Sequence, residues 1–519
     1  MYTSLPFKLF GYSLIKLRFF NILLLLLSAF ILSKGLNNIL IKQNLSVQIS
    51  YVLFPSVVIF QLPSLWIERV PGYNNLSSYA AIIFIGCISM YYKNENKYRS
   101  LPVFFGAIMA FSIIVRPPSG LSLIFIFLLL CYTFDFFNRK VFVLFTIGFI
   151  SFFLFHFLFI ENIFEYYKTT VNGLQFHNFL SRQPEFIILR YINEIWGNLI
   201  FCLLANKFVL ISFIILYYLS YKLKIETIST AIIFVFFIYI CYKHITFNDL
   251  HGAHGLYWSF WRLLTSQFIF FLILLILHII IIPSSIYKYP HKSVFLFPLI
   301  LIISPLLLSV GTSNMIMFIM NFYTCLFFIG IIFTLLNFQK YFHIPIGNNN
   351  IILILMLFSL CSAYVHYDGR INSSLYTICE VSHGFKYHHS EIIDTGRDTI
   401  KVNKQTKDIF QKIHKSLNDT NLKCSYLINF TAMPGINFFF NLPHPVQPWT
   451  IHMKDNFTLQ NIDLKLFSKS ALLINHKNNN TLGHINKSFP NWKNSHYLKD
   501  IIHYNVNNID KCLALYLPI

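Results

Sequence analysis

The sequence predicts an all-α polytopic membrane protein of about 12 transmembrane helices, followed by a small soluble α/β domain at the C-terminus. Of its 519 residues, 56% are hydrophobic and only 12% are charged, about half the charged fraction of an average soluble protein. Uncharged apolar runs recur through residues 1–366, whereas residues 367–519 are polar and rich in Asn. This composition excludes a soluble enzyme, a disulfide-rich secreted domain and a disordered chain.

Twelve segments are apolar enough to cross a bilayer core of about 30 Å. The seventh contains Lys207, so either this lysine reaches up to the interface or the span starts later. The predicted spans are 17–33, 46–62, 76–92, 101–115, 119–134, 141–160, 199–220, 228–243, 263–283, 294–310, 315–336 and 350–366.

The basic residues predict how the helices are oriented, because cytoplasmic loops carry an excess of Lys and Arg. From residue 34 onward, alternate connections hold the basic residues and are predicted to be cytoplasmic. They contain Lys34, Lys42, Lys93, Lys97, Arg99, Arg139, Lys140, Lys222, Lys224, Lys288, Lys292 and Lys340. The connections predicted to face the periplasm, or its equivalent, are 63–75, 116–118, 161–198, 244–262, 311–314 and everything after 367.

The C-terminal segment 367–519 predicts one periplasmic domain of ordinary size. A helix is expected over 403–418, because its apolar residues recur on one face: Ile409, Phe410, Ile413 and Leu417. Short strands are expected at 424–430, 471–474 and 513–517.

The net charge of +20 does not indicate nucleic-acid binding, since many of the basic residues lie in short loops between apolar runs. The nine Cys show no CxxC and no zinc spacing. His251 and His254 could share a helix face, but no third ligand follows at a recognisable distance. We therefore expect neither a metal site nor a cofactor.

Two predicted outer turns contain candidate binding residues. In the turn 71–75, Tyr73 and Asn74 place hydrogen-bond donors at the membrane interface, although a Tyr there can also be a simple interface anchor. In the turn 311–314, small residues before a helix can present backbone N–H groups to an anion. Asn314 belongs to this turn and can equally be a helix N-cap.

Two arginines on the predicted outer face are candidate phosphate ligands, because Arg binds phosphate through two parallel hydrogen bonds. Arg116 precedes Pro117 and Pro118 in a very short connection. Arg262 closes the aromatic connection 244–262. Contact with lipid headgroups is an alternative role for both.

Six carboxylates on the predicted outer face are available as a general base. Glu194 lies four residues after Arg190 on a predicted helix, where an ordinary ion pair is expected. The six are Glu68, Glu161, Glu165, Glu185, Glu194 and Asp249.

The order of these features resembles the bacterial membrane glycosyltransferases of the GT-C class, in particular the protein-mannosyltransferase-like and lipid-A-sugar-transferase-like families. The matching elements are Pro-x-Tyr-Asn before a span, Arg-Pro at an outer helix junction, and a Gly-Thr-x-Asn turn two spans before a C-terminal outer domain. Later Pro-Gly and Pro-Trp elements extend the resemblance to about residue 450. The residues are Pro71, Tyr73, Asn74, Arg116, Pro117, Gly311, Thr312, Asn314, Pro434, Gly435, Pro448 and Trp449.

The resemblance implies an integral protein of the bacterial inner membrane that takes a sugar from a polyprenyl-phosphate-linked donor. In these families a carboxylate deprotonates the acceptor hydroxyl while Arg or Lys holds the donor phosphate. Tyr73, Asn74, Arg116, Arg262 and Asn314 are then the donor-phosphate or substrate-binding candidates. The partners are this donor and the membrane lipids, with the acceptor (lipid, glycan or protein) left open.

The N-terminus departs from the family pattern. Family members have thirteen spans, and the acidic catalytic residue lies in the loop after the first. Residues 5–31 resemble the end of that loop and the second span, which also accounts for Lys8 and Lys16 on the outer side. We expect that the native product is longer at its N-terminus, or that the catalytic base is absent and the protein inactive.

Two other functions remain open at this level. A transporter or flippase of lipid-linked saccharide fits the number of spans, although no repeat relates the two halves of the sequence. An O-antigen-type polymerase or ligase fits the long connection 161–198, but its class has no C-terminal domain of this kind.

Overall fold

The protein is described from a computed structural model. Besides the continuous ranges given next, the structure describes residues 95, 359 and 360 and some of the residues within 162–167 and 228–273. The continuous described ranges are 14–45, 49–67, 72–93, 97–136, 138–160, 184–223, 292–310, 316–342, 349–357, 391–394, 399–402, 404–418, 426–430, 464–475, 479–506 and 509–518.

The described residues belong to two compact units, one ending before residue 367 and one beginning after it. The first unit is helical. Its helices are α1 Leu14–Lys42, α2 Ser50–Ile67, α3 Tyr73–Lys93, α4 Leu101–Val115, α5 Pro117–Phe134, α6 Arg139–Phe155, α7 Pro184–Lys222, α8 Ser293–Ser309, α9 Ile316–Met320 and α10 Thr324–Phe342. A π-helical turn, His156–Ile160, continues α6, and a 3₁₀ turn, Asn321–Tyr323, joins α9 to α10.

Five helical segments in the described part of the chain are long and apolar enough to cross a membrane: Lys16–Lys42, Tyr73–Tyr92, Pro117–Phe134, Arg139–Ile160 and Tyr191–Leu219. Further apolar helices are shorter: Ser50–Leu62, Leu101–Val115, Ser293–Ser309 and Asn321–Asn337. The chain is thus built as a membrane protein with at least five such helices. The predicted spans 228–243 and 263–283 lie largely outside the described residues.

The surface of these helices also fits a membrane. In an apolar 18-residue stretch of Arg139–Ile160 only 11% is buried within the protein, and in one of Tyr191–Leu219 only 22%. Large apolar side chains therefore face outward, for example Phe159, which is 76% exposed. In water such an apolar surface would be unfavourable, whereas in lipid it is already solvated.

The helix boundaries differ most from the predicted spans at α1 and α7. Helix α1 continues to Lys42, so Lys34 lies on a helix and not in a connection. Helix α7 begins at Pro184, so the second part of the predicted loop 161–198 is helical; its 39 residues span about 58 Å at 1.5 Å per residue. Apolar runs mark the bilayer core, but helical hydrogen bonds continue through the polar interface beyond it.

Glycines bring neighbouring helices into close contact. A Cβ on Gly35 of α1 would lie 2.2 Å from the carbonyl oxygen of Gly86 of α3. A Cβ on Gly106 of α4 would lie 1.9 Å from the carbonyl oxygen of Phe145 of α6. Only glycine permits these backbones to approach so closely, as is common between membrane helices.

Three lysines meet neighbouring helix ends at one end of the helical unit. Lys292 Nζ lies 2.5 Å from Asp135 Oδ1, at the end of α5. Lys42 Nζ donates to the carbonyl of Tyr92 at 2.7 Å, and Lys340 Nζ donates to the carbonyl of Gln43. The Tyr92 and Phe134 rings stack with centroids 4.1 Å apart, which joins these contacts into one region. We call this region the basic end; its lysines belong to the connections predicted to share one side of the membrane.

The second unit is a small α/β fold. Its strands are β1 Glu391–Asp394, β2 Thr399–Val402, β3 Tyr426–Phe430, β4 Ser470–Asn475, β5 His496–Val506 and β6 Ile509–Pro518, and its helices are α11 Lys404–Asn418, α12 Leu464–Phe467 and α13 Asn479–Ser488. The main sheet has the order β3-β4-β6-β5. Strands β3 and β4 are parallel, β6 is antiparallel to both of its neighbours, and β1 and β2 form a separate hairpin.

Side chains on both faces of the main sheet are buried. On one face Leu473 and Leu515 pack with Ile413 of α11, and on the other Leu472 packs with Ile485 of α13. The predicted helix and the three predicted strands are confirmed within a few residues. The sequence missed β1, β2, β5, α12 and α13, which are short or rich in polar residues.

Candidate functional site

Arg116 forms the entire connection between α4 and α5. Its backbone is extended (φ −152°, ψ 90°), its N–H donates to the carbonyl of Ser112 at 2.9 Å, and its carbonyl accepts from the N–H of Gly120 at 3.0 Å. Pro117 and Pro118 occupy the first turn of α5, where the missing N–H groups leave no unmade helical bond. The predicted very short connection is confirmed, and it fixes the backbone from which the guanidinium extends.

The side chain of Arg116 is buried, with 5% of its surface exposed. Its Nη1 donates to the carbonyl of Leu308 at 3.2 Å, and the hydroxyl of Ser119 donates to the same oxygen at 2.7 Å. Leu308 lies at the C-terminal end of α8, and Arg116 itself follows the C-terminal end of α4. Both helix ends carry partial negative charge, which stabilises a buried cation. Among the described residues, the Nη2 atom of Arg116 has no hydrogen-bond partner.

Hydrogen bonds from other helices fix the chain both before and after the segment 311–315. Leu308 accepts from Arg116, and the backbone N–H of Ile316 donates to Glu194 Oε2 at 2.9 Å. A carboxylate at the N-terminus of α9 is favourable because this helix end carries partial positive charge. Glu194 therefore binds the start of α9; its predicted ion pair involves the side chain of Arg190, which lies outside the described residues. We call Arg116, Ser119, Leu308, Glu194 and Ile316 the Arg116 end.

Tyr73 and Asn74 are the first two residues of α3. Tyr73 is 46% exposed, whereas Asn74 is buried. One turn further along α3, the hydroxyls of Ser77 and Tyr323 lie 3.1 Å apart. Tyr323 ends the 3₁₀ turn that follows α9, so the start of α3 packs beside the helix that Glu194 holds.

Two of the predicted binding residues, Asn314 and Arg262, lie outside the described part of the chain, as do His251 and His254. Within the described part, no group of three or more His, Cys, Asp or Glu side chains could hold a metal ion.

Sequence reasoning missed three contributions to this region. Ser119 shares the carbonyl that Arg116 binds, Glu194 binds a backbone N–H, and Tyr323 lies inside an apolar run that predicts only a span. Two of these contacts had a signal in the sequence, namely a hydroxyl three residues after Arg116 and a Tyr inside a predicted span. The partner of Glu194 could not be found, since it lies 122 residues away in the chain.

No protein-family model, curated protein or solved structure matches this chain. What the structure itself defines is a class: a helical membrane protein with a C-terminal α/β unit and a buried arginine at a helix junction.

Proposed function

We propose that the protein is a membrane glycosyltransferase of the bacterial inner membrane, which transfers a sugar from a polyprenyl-phosphate-linked donor to an acceptor on the periplasmic side. The observation that carries the proposal is the buried guanidinium of Arg116 at a rigid helix junction, one nitrogen of which has no hydrogen-bond partner among the described residues. The sequence resemblance to GT-C enzymes also supports the proposal, because Arg116 belongs to the Arg-Pro element of that resemblance.

The chemistry places most of the charge change on the donor phosphate. The acceptor oxygen bonds to C1 of the sugar as a base removes its proton, and the bond from C1 to the phosphate oxygen breaks with its electron pair left on the phosphate. A fixed guanidinium stabilises this developing charge strongly in a site of low dielectric. Arg116 supplies that group in the proposal.

The other candidate residues take supporting roles. Tyr73 and Asn74, at the start of α3, are proposed to contact the donor or the acceptor, together with Asn314 and Arg262. Glu194 is proposed as a positioning residue, because its carboxylate holds the first residue of α9 directly after the segment 311–315.

The test measures polyprenyl phosphate released from a donor labelled in its prenyl chain, with protein purified from its native cell. We expect Arg116→Met to lower the release rate on the order of 10²-fold, as for removal of one charge-stabilising donor. The control is Arg139→Met, since Arg139 is an exposed arginine at the start of α6.

Thermal unfolding of Arg116→Met separates lost function from lost fold. The Ser119 hydroxyl can still donate to the carbonyl of Leu308 in this variant, and a buried charge is replaced by an apolar chain of similar length. The melting temperature is therefore expected to stay within a few degrees of the wild type. Undiminished release in Arg116→Met, or movement of the intact donor across the membrane without release, would contradict the proposal.

A further inference from the structure

A lysine interrupts the apolar surface of α7 at position 207. Helix α7 is continuous from Pro184 to Lys222, and its segment Tyr191–Leu219 is long and apolar enough to cross a membrane. The side chain of Lys207 is exposed on the surface of the described helices. The helix therefore carries a basic side chain within an apolar segment of membrane-spanning length.

Two exposed aromatic residues of α7 indicate how deep Lys207 lies. Trp196 is 60% exposed and Tyr218 is 44% exposed, and such side chains mark the two interfaces of a bilayer. They are 22 residues apart, about 33 Å along a helix, which matches the thickness of the hydrocarbon core. Lys207 lies midway, about 16 Å or three turns from each, so the three residues share one face. The four-carbon stem of lysine is too short to carry its ammonium group to either interface.

A different face of α7 packs inside the protein. Asn206 is 1% exposed, and its side-chain amide donates to the hydroxyl of Ser266 at 3.0 Å. Two turns earlier, the side-chain amide of Asn198 donates to the hydroxyl of Thr265 at 2.8 Å. The internal contacts of α7 thus leave Lys207 on its outer surface among the described residues.

The surroundings of Lys207 offer little to stabilise a charge. Its Nζ lies 5.0 Å from the centroid of the Phe208 ring, and a cation–π contact offsets only a fraction of the cost of a charge at the bilayer centre. Leu204 and Ile211, one turn away on either side, are 61% and 53% exposed. No carboxylate among the described residues pairs with Lys207, and no predicted span contains Asp or Glu.

We propose that this surface binds a membrane-spanning helix of a second protein that carries Asp or Glu near its midpoint. We call it the Lys207 face; it consists of Leu204, Lys207, Phe208 and Ile211. Ionisable side chains within a bilayer pair with one another, because each is costly alone, and their attraction is strong at low dielectric. A second copy of this chain does not fit, since its predicted spans contain no carboxylate and its own Lys207 would repel. The binding does not depend on sugar transfer.

Photocrosslinking in vesicles tests the Lys207 face. The probe is a synthetic helix of about 20 Leu and Ala residues, with one Glu at its midpoint and a diazirine-bearing leucine one turn away. It is reconstituted with the purified full-length protein in phosphatidylcholine, and the crosslinked peptides are identified by mass spectrometry. We expect crosslinks within residues 200–215, at a yield at least tenfold above that of the same probe with Gln. A probe with its Glu near one end should crosslink no better than the Gln probe, because its carboxylate lies at the wrong depth.

Two lysine variants of α7 form a matched pair. Lys207→Leu should lower the yield of the Glu probe to that of the Gln probe. Lys222→Leu removes the same charge from the last residue of the helix, where the ammonium lies 5.7 Å from the Tyr218 ring centroid. This variant should keep the full preference for Glu. The comparison of Glu and Gln probes on the wild-type protein decides the question even if Lys207→Leu folds poorly.

Several outcomes would overturn the assignment. They are equal yields of the Glu and Gln probes on the wild type, crosslinks outside 200–215, and an undiminished preference for Glu in Lys207→Leu. Displacement of the Glu probe by phosphatidylglycerol would assign the Lys207 face to lipid headgroups and overturn the partner helix. Self-association of the wild-type protein that Lys207→Leu abolishes would assign the face to a second copy and overturn it as well.

Discussion

The two ends of the helical unit treat their basic side chains differently. At the basic end, Lys292 is 36% exposed and bonds to Asp135, which is 76% exposed. At the Arg116 end, the guanidinium is 5% exposed and bonds to a backbone carbonyl. Replacing an exposed, solvated lysine changes the free energy of unfolding only slightly. Burying an arginine costs considerable free energy, because the guanidinium loses its hydration. The basic end thus holds an exposed ion pair and the Arg116 end holds a buried cation, to which we assign the chemical role in the proposed function.

The burial of Arg116 depends first on the packing of α4, the helix directly before it. Gly106→Leu should have the largest effect, because its Cβ would lie 1.9 Å from the carbonyl oxygen of Phe145 and no side chain can yield there. We expect a loss of stability above the roughly 3 kcal/mol at the upper end of ordinary overpacking. Thermal unfolding in detergent measures it.

The same substitution at Gly197 is the control, because nothing lies within 4 Å of a Cβ built there among the described residues. Gly197→Leu should retain or slightly raise the melting temperature, since leucine is a better helix former than glycine. If both variants unfold at the wild-type temperature, α4 and α6 do not pack as described, and the position of Arg116 loses its support.

His496, in the C-terminal unit, is a second buried ionisable side chain. Unlike Arg116, it can lose its charge. Its Nε2 donates to the carbonyl of Ser470 at 3.0 Å, its Nδ1 lies 2.9 Å from the hydroxyl of Ser495, and burial lowers the pKa of the ring below the ordinary 6.5. The unfolded chain therefore binds the proton first as the pH falls. Stability from His496 is full above pH 6.5 and declines below it, by at most about 1.4 kcal/mol per pH unit.

Hydrogen exchange of β4 in the full-length protein, corrected for the intrinsic pH dependence, measures this decline. His496→Gln keeps a hydrogen-bonding side chain but cannot titrate, so its β4 protection should change less between pH 7.5 and 5. An identical pH profile in both proteins would remove His496 as the cause.

The smallest effect is expected at the basic end. Lys292→Ala should cost less than about 1 kcal/mol, because exposed ion pairs are weak and screened by salt. A double-mutant cycle with Asp135→Asn isolates the pair, and its coupling should fall further in 0.5 M salt. A coupling of several kcal/mol that resists salt would show that the two ends are alike after all.

The sequence by itself determined the features that depend on local pattern. Composition separated an apolar segment from a polar C-terminal one, and the stripe of Ile409, Phe410 and Ile413 predicted a helix whose apolar face is indeed buried. Arg116 followed by two prolines predicted a tight helix junction, since proline fixes its own backbone and suits the first turn of a helix. These results follow from neighbours within a few residues of each other.

Only the tertiary structure decided what meets across the chain. Arg116 reaches a carbonyl 192 residues away, and Glu194 reaches a backbone N–H 122 residues away. The strand β5, rich in polar residues, exists because it pairs along its length with β6. Such contacts depend on helix packing and sheet pairing, which satisfy hydrogen bonds and fill space over the whole fold, and a local pattern carries no record of them.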